Sequence, residues 1–270
     1  MSSPARHTSA RPIAPDGAFD RASAFHTRAV QLVADAVREI DAGWIVLTPS
    51  LPEVWSLNQL RLAKPLDFGA ALELAEEHLS SLPYRHLVAE SDELGEALAP
   101  ALRLEGFRLE REVVMAMPGR SQRDSSHRQA AAVVEPSEQA MIELERRWLS
   151  EDPRTTPEGV EQLIEAARRE GRAWGERRFG IRGDDGSLVA ITKLRSDGRT
   201  AQVEDVYTAP DARGRGFATT LVAHAVRVAQ TSGHELIFIV ADDCDWPKHL
   251  YARLGFEPVG RRWAFHRPAG

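Results

Sequence analysis

The sequence of 270 residues contains a single cysteine, Cys244, so no internal disulfide can form. One cysteine fits a reducing compartment, and we expect a cytoplasmic protein. No apolar run reaches the roughly 18 residues that a membrane-spanning helix requires, so none is expected. The opening stretch MSSPARHTSARPIAP has no acidic residue, a composition that transit peptides share. For residues 1–18 we expect a disordered tail instead.

Basic residues are also fewer than acidic residues. Lysine and arginine number 34 against 40 acidic residues, which gives a formal net charge of -6. A field of this sign disfavours a general nucleic-acid or anionic-membrane surface, and neither partner is expected. The nine histidines show no ligand spacing. We therefore expect no metal site, and none is expected from Asp242, Asp243 and Asp245 together with His249.

A polar stretch divides the chain. PGRSQRDSSHRQ, residues 118–129, has no aliphatic or aromatic side chain and is predicted to be a linker between domains at 19–117 and 130–270. In the first domain, helical spacing of Val30, Val33, Val37 and Ile40 predicts one helix. Strands are predicted at 44–48 and within 54–62, and a second helix over about 67–82.

The second domain has a clearer pattern of elements. Ser137, followed by apolar residues at helical spacing, predicts a capped helix, and Pro157 suits the first turn of another. Turn signals at 184–186 and 197–198 separate strong strand candidates. The predicted strands are 131–135, 176–182, 188–194, 201–208, 235–241 and 262–266; the second helix is 157–170.

The two domains also resemble each other in short segments. HLVAES at 86–91 and LRLEGF at 102–107 parallel FIVADD at 238–243 and LYARLGF at 250–256. Each pair indicates a strand, a short helix, a glycine and another strand, which suggests a duplicated unit. The first domain has Leu102 where the second has Tyr251. It also lacks the RGRGFA segment, so any chemistry is expected in the second domain.

The segment VEDVYTAPDARGRGFATTL, residues 203–221, indicates a strand, a glycine-bearing turn and a helix. Such a junction directs free backbone N–H groups and the positive end of the helix dipole at one point, which favours a phosphate. Neither common nucleotide motif fits. No G-x-x-x-x-G-K-[ST] string occurs, and Thr219 stands at the third glycine position of G-x-G-x-x-G.

The R-x-x-G-x-A pattern of Arg213, Gly216 and Ala218 resembles the pyrophosphate-binding signature of the GNAT N-acetyltransferase superfamily. The order of elements over 130–267 resembles that family throughout. This resemblance implies an α/β fold with a mixed sheet, here duplicated, the first copy being degenerate. It also implies acetyl-CoA as the co-substrate. The implied contacts are Val206, Tyr207, Thr208, Arg213, Gly214, Arg215, Gly216, Phe217, Ala218 and Thr219.

Amine acetylation needs a base, because an alkylamine with a pKa near ~10.4 is mostly protonated at neutral pH. Glu204 is the candidate, since alternation places 202, 204, 206 and 208 on one strand face beside the cofactor. Asp205 is the alternative. The resemblance places Tyr251 as the acid that protonates the coenzyme thiolate. It also gives the N–H of Val206 an oxyanion role if the strand carries a bulge.

The run ADDCDWPKHLY departs from the family, which often has asparagine before this helix. Its three aspartates either cap the helix or orient a cationic acceptor.

The sequence therefore predicts an acetyl-CoA-dependent N-acetyltransferase that acts on a primary amine by direct attack in a ternary complex. The acceptor is a small molecule or a peptide, and the protein a monomer or homodimer. The alternatives are a non-catalytic acyl-CoA-binding protein and, on the phosphate site alone, a nucleotide-dependent enzyme.

Overall fold

The computed structural model describes residues 17–118 and 132–268. In these ranges helices and strands follow each other in the order expected of two related units. The amino-terminal half contains α1 Ala18–Val33, β1 Ala36–Ile40, β2 Gly43–Leu47, β3 Gln59–Leu62, α2 Phe68–Leu79, β4 Tyr84–Ala89, α3 Asp92–Leu104 and β5 Arg108–Pro118. The carboxyl-terminal half contains α4 Glu138–Leu149, α5 Pro157–Trp174, β6 Arg177–Arg182, β7 Leu188–Ser196, β8 Thr200–Thr208, α6 Phe217–Thr231, β9 Leu236–Asp242, α7 Pro247–Arg253 and β10 Glu257–Pro268.

All ten strands form one mixed sheet, in the order β1-β2-β3-β4-β10-β5-β9-β8-β7-β6. The last strands of the two halves are exchanged. Strand β10 pairs with β4 of the amino-terminal half, while β5 pairs with β9 of the carboxyl-terminal half. The exchanged strands also pair with each other at the centre of the sheet. Because backbone hydrogen bonds run across the junction, the halves share one continuous sheet.

Side chains fix the exchanged strand in place. Trp263 of β10 packs directly on Gly95 of α3, where an added Cβ would lie 2.0 Å from the indole ring. The indole Nε1 donates to Asp92 at 2.7 Å. A larger residue at position 95 would therefore displace β10 from its place beside β4.

The predicted duplication is confirmed at the level of elements. Strand β4, helix α3, Gly106 and strand β5 follow the same course as β9, α7, Gly255 and β10. Both glycines have positive φ, +82° and +98°, and end their helices in the left-handed conformation. Within each half, the strands before and after the central helix are parallel, β3 with β4 and β8 with β9.

Two predictions of secondary structure were wrong. The helical pattern breaks after Val33, because Val37 and Ile40 belong to β1, which pairs with β2 across a two-residue turn. The spacing of four valine and isoleucine residues matched a helix, but tertiary pairing decided the outcome. Of the strand predicted at 131–135, the described part forms only an isolated bridge between Val134 and Gly180.

Other predictions stand or lie outside the described residues. Ser137 accepts from the N–H of Ala140 at 3.3 Å and caps α4, and Pro157 opens α5. The tail lies outside the described residues as far as position 16, and α1 already begins at Ala18. The linker lies outside them from position 119, after Pro118 ends β5.

Candidate active site

The turn after β8 has the open helix start that the sequence predicts. Gly214 and Gly216 both have a φ of +78°, a left-handed conformation that residues with a Cβ adopt at a cost. Gly216 is the N-cap of α6 and contributes no side-chain hydrogen bond. Among the described residues, no acceptor satisfies the N–H groups of 214–219. These donors and the helix dipole together suit an anion.

Strands β8 and β9 separate beside this turn. Their pairing runs only from Thr200 with Leu236 to Val203 with Ile239, although both strands continue beyond it. A cavity of about 470 Å³ occupies the gap, between the end of β8 and the starts of α6 and α7. Its lining residues are Val206, Tyr207, Thr208, Ala212, Arg213, Gly214, Gly216, Phe217, Ala218, Thr219, Asp245, Trp246, Pro247, Leu250 and Tyr251.

This lining includes nine of the ten residues that the family resemblance implied as cofactor contacts. Arg215 is the exception. It is half exposed, lies 4.8 Å from the ring centre of Phe217 and is 4.0 Å from Asp184.

Two polar side chains distinguish this cavity from an ordinary turn. The Thr208 hydroxyl is enclosed and has no hydrogen-bond partner among the residues that the structure describes, an arrangement that a bound polar group would relieve. The Arg213 Nε donates to the Thr208 carbonyl at 3.1 Å and fixes the turn to the end of β8. The residues present therefore fit a ligand with an extended polar arm and a terminal phosphate.

Strand β8 carries a bulge. Lys193 faces Glu204 and Ile191 faces Tyr207, so Asp205 and Val206 together oppose one residue of β7. Asp205 has a φ of +52°, a conformation that aspartate tolerates better than most residues. The bulge that an oxyanion role for Val206 required is present.

The same bulge corrects the expected strand face. Glu204 does not share a face with Val206 and Thr208, because the extra residue reverses the alternation. Val206 and Thr208 border the cavity beside α6, whereas Glu204 borders a second cavity of about 230 Å³ beneath α4 and α5. The two cavities lie on either side of β8.

Buried charges surround Glu204. The Lys193 Nζ contacts Glu145 at 2.6 Å and Asp205 at 2.7 Å. Arg195 contacts Glu170 at 2.6 Å and Glu176 at 3.0 Å. Each cation is thus shared between two other acids.

Glu204 itself accepts a hydrogen bond from Gln202 and has no salt-bridge partner among the described residues. Burial raises the pKa of Glu204 to about 7; Arg195 opposes the rise, and the nearby charges of Asp205 and Glu170 add to it. Asp205 differs: burial acts to raise its pKa, but Lys193 and Arg195 hold the pKa below its usual value. At neutral pH Glu204 is therefore partly ionised, whereas Asp205 is ionised.

Tyr251 lies in α7 and borders the cavity between β8 and β9. It is 6% exposed, and its ring makes an edge contact with Phe256 at 6.3 Å between centroids. Burial raises the pKa of Tyr251, and the charges of Glu204 and Asp245 raise it further. The phenol therefore keeps its proton at neutral pH and remains available as a donor.

The three aspartates before α7 have different partners. Its N-cap is Trp246, which makes no side-chain capping bond. Asp243 pairs instead with Arg261 at 2.8 Å and Arg111 at 3.0 Å. Asp243 is therefore held by charges of β5 and β10, whereas the Asp245 carboxylate accepts from the backbone N–H of Trp246 at 2.7 Å, just before the helix.

Sequence reasoning missed the buried ions around Glu204. Lys193 and Arg195 alternate along β7, a pattern that would usually indicate a solvent-exposed face. Both are nearly inaccessible because α4 and α5 cover them with acids. The available signal was the alternation of Lys193 and Arg195 on a strand predicted to lie beside the one that carries Glu204.

Within residues 17–118 and 132–268, no group of three or more His, Cys, Asp or Glu side chains has the arrangement of a metal site. Among the helices described, none combines the length and hydropathy needed to cross a membrane.

Comparison with known proteins agrees with this architecture. Residues 139–256 match the model of the acetyltransferase (GNAT) family. The comparison with curated proteins found no match.

Several solved structures share the fold. A conserved protein of unknown function from Staphylococcus epidermidis aligns over 88% of this chain and 96% of its own, with a TM-score of 0.73 and 14% identity. A GCN5-related N-acetyltransferase from Kribbella flavida aligns over 92% and 96%, with a TM-score of 0.56 and 23% identity. A tandem GNAT protein from the clavulanic acid biosynthesis pathway aligns over 96% and 98%, with a TM-score of 0.52 and 15% identity.

Fold and family model together define a protein with two GNAT-like units in one chain. The carboxyl-terminal unit contains a GNAT acetyltransferase domain, which the family model matches at residues 139–256.

Proposed function

We propose that the protein is an acetyl-CoA-dependent N-acetyltransferase that transfers an acetyl group to a primary amine in a ternary complex. The observation that carries this proposal is the gap between β8 and β9, which ends at the uncapped N-terminus of α6. An acyl-CoA would supply the activated acetyl group. Its pyrophosphate would accept from the N–H groups at 214–219, and its arm would lie beside Val206 and Thr208.

The two cavities give each substrate its own approach. The coenzyme cavity and the Glu204 cavity lie on either side of β8, and the bulge at Asp205 and Val206 lies between them. An amine beside Glu204 would therefore reach the acetyl group from the side opposite the coenzyme. This arrangement supports direct attack over an acetyl-enzyme.

Glu204 would act as the general base. A pKa of about 7 leaves a substantial fraction ionised at neutral pH while keeping the carboxylate basic enough to take a proton from an ammonium group through one water. The Val206 N–H would stabilise the developing oxyanion. Tyr251, protonated at neutral pH, would donate to the departing sulfur.

Tyr251→Phe tests this assignment. We expect kcat for the best acceptor of an amine panel to fall by about 10²-fold or more, with the acetyl-CoA affinity from calorimetry unchanged. Tyr84→Phe is the matched control, since the Tyr84 hydroxyl donates to the Pro52 carbonyl in the other half. Acetyl-CoA binding without acetylation of any amine would favour an acyl-CoA-binding regulator instead. Absence of acetyl-CoA binding would refute both proposals.

We further propose that the protein works in the cytoplasm as a monomer or homodimer. The one cysteine, Cys244, is exposed, and a reducing compartment would keep its thiol free.

A further inference from the structure

A third cavity, of about 360 Å³, lies between the two halves. Residues of β3, β4 and β5 form one wall, and the loop between α4 and α5 forms another. His26, Ser56 and Leu163 border both this cavity and the one that contains Glu204. If the amine of an acceptor reaches Glu204, as the proposed function requires, the rest of the acceptor has room here.

Two buried guanidinium groups border this inter-half cavity. Arg61 is 1% exposed and Arg262 is 5% exposed. Arg61 pairs with Glu90, but its contacts to Gln59, His26 and Thr27 are all 3.5 Å long. The Arg61 Nε has no acceptor within residues 17–118 and 132–268. A guanidinium has five N–H donors, and leaving them unsatisfied in the interior is costly.

His26 adds to this excess of donors. Its Nε2 lies 3.2 Å from a terminal nitrogen of Arg262, and its Nδ1 lies 3.5 Å from one of Arg61. Burial and both arginines keep the pKa of His26 well below its usual value, so the ring is neutral. A neutral imidazole has one acceptor nitrogen and one N–H. One of the two contacts therefore places a donor against a donor.

The acids of the same cavity are better satisfied. Glu112 pairs with Arg262, and Asp152 accepts two bonds from Arg154, at 2.6 and 2.9 Å. Glu53 accepts from the Thr156 hydroxyl at the N-terminus of α5. Among the described residues Glu53 and Glu110 have no salt-bridge partner, and Glu110 lies exposed at the rim. On the inner wall Arg61 keeps an unused Nε–H even though Glu90 is its salt-bridge partner, and an acceptor group of a ligand would satisfy this donor.

We propose that the inter-half cavity binds an anionic group of the acceptor, a carboxylate or a phosphate monoester, with Arg61 as its main contact and Arg262 and His26 beside it. The acceptor is then an amine that also carries an acid group, with its amine at Glu204. The planar fork of a guanidinium matches both anions. The amino-terminal half accordingly supplies acceptor specificity, although it lacks the open helix start of the other half.

Matched acceptors test this proposal directly. Amino acids would be compared with their own carboxamides, and aminoalkyl phosphates with the corresponding amino alcohols. We expect the acidic member of the productive pair to have a kcat/KM about 10- to 100-fold higher, mainly through a lower KM. The kind of pair that shows this preference identifies the anion as a carboxylate or a phosphate. Equal acetylation of acidic and neutral members would overturn the inference and leave the proposed function intact.

A double variant, Arg61→Gln with Glu90→Gln, removes the buried ion pair without leaving an unpaired charge. We expect its KM for the acidic acceptor to rise by about 10- to 100-fold, while kcat/KM for the neutral analogue changes by less than about threefold. The control is Arg177→Gln with Glu135→Gln, an exposed ion pair. Arg61→Lys, which keeps the charge but loses the fork, serves if the double variant does not fold.

Binding separates the two proposals if no turnover occurs. Calorimetry of the CoA-loaded protein with the same pairs needs no chemistry. Tighter binding of the acidic member, lost in the Arg61 variants, would support the cavity assignment while the proposed function fails. Indifference to the acid group, or to Arg61, would refute the assignment.

Discussion

The two halves build the same order of strand, helix and strand, yet their central helices begin differently. Helix α2 is capped by its own chain, since the Asp67 carboxylate accepts from the N–H of Ala70 at 2.9 Å. Helix α6 starts after Gly216, which has no side chain to cap it. An anion would be repelled by Asp67 and attracted by the free donors of α6.

The neighbouring strands differ in the same sense. In the amino-terminal half β3 and β4 stay paired to their ends, and the Glu90 N–H donates to the Leu62 carbonyl at 2.9 Å just beyond them. In the carboxyl-terminal half β8 and β9 separate after Val203. Duplication thus preserved the order of elements, whereas a bulge, a glycine turn and a gap between strands exist in one copy.

The largest effect on activity is expected from Glu204→Gln, which changes the carboxyl-terminal half. The variant keeps the shape and loses the base, so kcat should fall by about 10²- to 10⁴-fold. For the unaltered protein, kcat/KM should rise as pH passes about 7, because the proposed base Glu204 must be ionised to accept a proton. That rise should be absent from the variant. Initial rates between pH 5.5 and 9 measure both.

The control for this variant is Glu143→Gln, an exposed glutamate on α4 that accepts from Gln139. It should change kcat by less than about twofold. A Glu204→Gln enzyme with an unchanged pH profile would assign the base elsewhere.

The second effect comes from matched glycines. Gly214 and Gly106 have φ values of +78° and +82°, and neither has a neighbour within 4 Å of an added Cβ. Alanine therefore costs about 1–2 kcal/mol at either site through backbone strain alone. Gly214→Ala should weaken acetyl-CoA binding by about tenfold as the turn shifts. Gly106→Ala should lower the Tm similarly and leave the Kd unchanged.

Calorimetry and thermal unfolding of both variants separate strain from binding. Equal losses of acetyl-CoA affinity at Gly214 and Gly106 would contradict the difference between the halves.

How much of this was predictable depended on the range of the interactions involved. The glycine turn and the helix after it follow from local chemistry, and the structure has them where the sequence predicts them. The alternation that placed Glu204 beside Val206 failed because a bulge inserted one residue. A bulge held by Lys193 and Asp205 depends on contacts across strands, which one segment does not record.

The strand exchange was beyond sequence reasoning for the same cause. The similarity between 86–107 and 238–256 predicted two copies. Neither copy's sequence indicates whether β10 pairs with β9 of its own half or with β4 of the other half. That choice is set by contacts such as Trp263 on Gly95. The inter-half cavity and its arginines follow from the exchange, so they too were missed.

A smaller effect is expected at the bulge itself. Asp205→Asn keeps a residue that tolerates positive φ and removes a negative charge beside Glu204. Since the charge of Asp205 raises the pKa of Glu204, its removal should lower that pKa and move the rise of kcat/KM to lower pH by less than about one unit. Asp211→Asn, at an exposed aspartate near Arg147, should leave the profile in place. A shift to higher pH would contradict the charge arrangement around Glu204.

The last variant, Asp67→Ser in the amino-terminal half, is expected to leave the number of bound coenzyme molecules unchanged. Asp67→Ser removes the charge that would repel a phosphate from α2 and keeps a capping side chain. It should not create a second coenzyme site, because the pairing of Leu60 with Leu87 and of Leu62 with Ala89 still holds β3 and β4 together. Calorimetric titration with acetyl-CoA should give one molecule per chain for both the unaltered protein and the variant. Two molecules per chain in the variant would mean that the helix cap, and not the pairing of β3 with β4, prevents the amino-terminal half from binding acetyl-CoA.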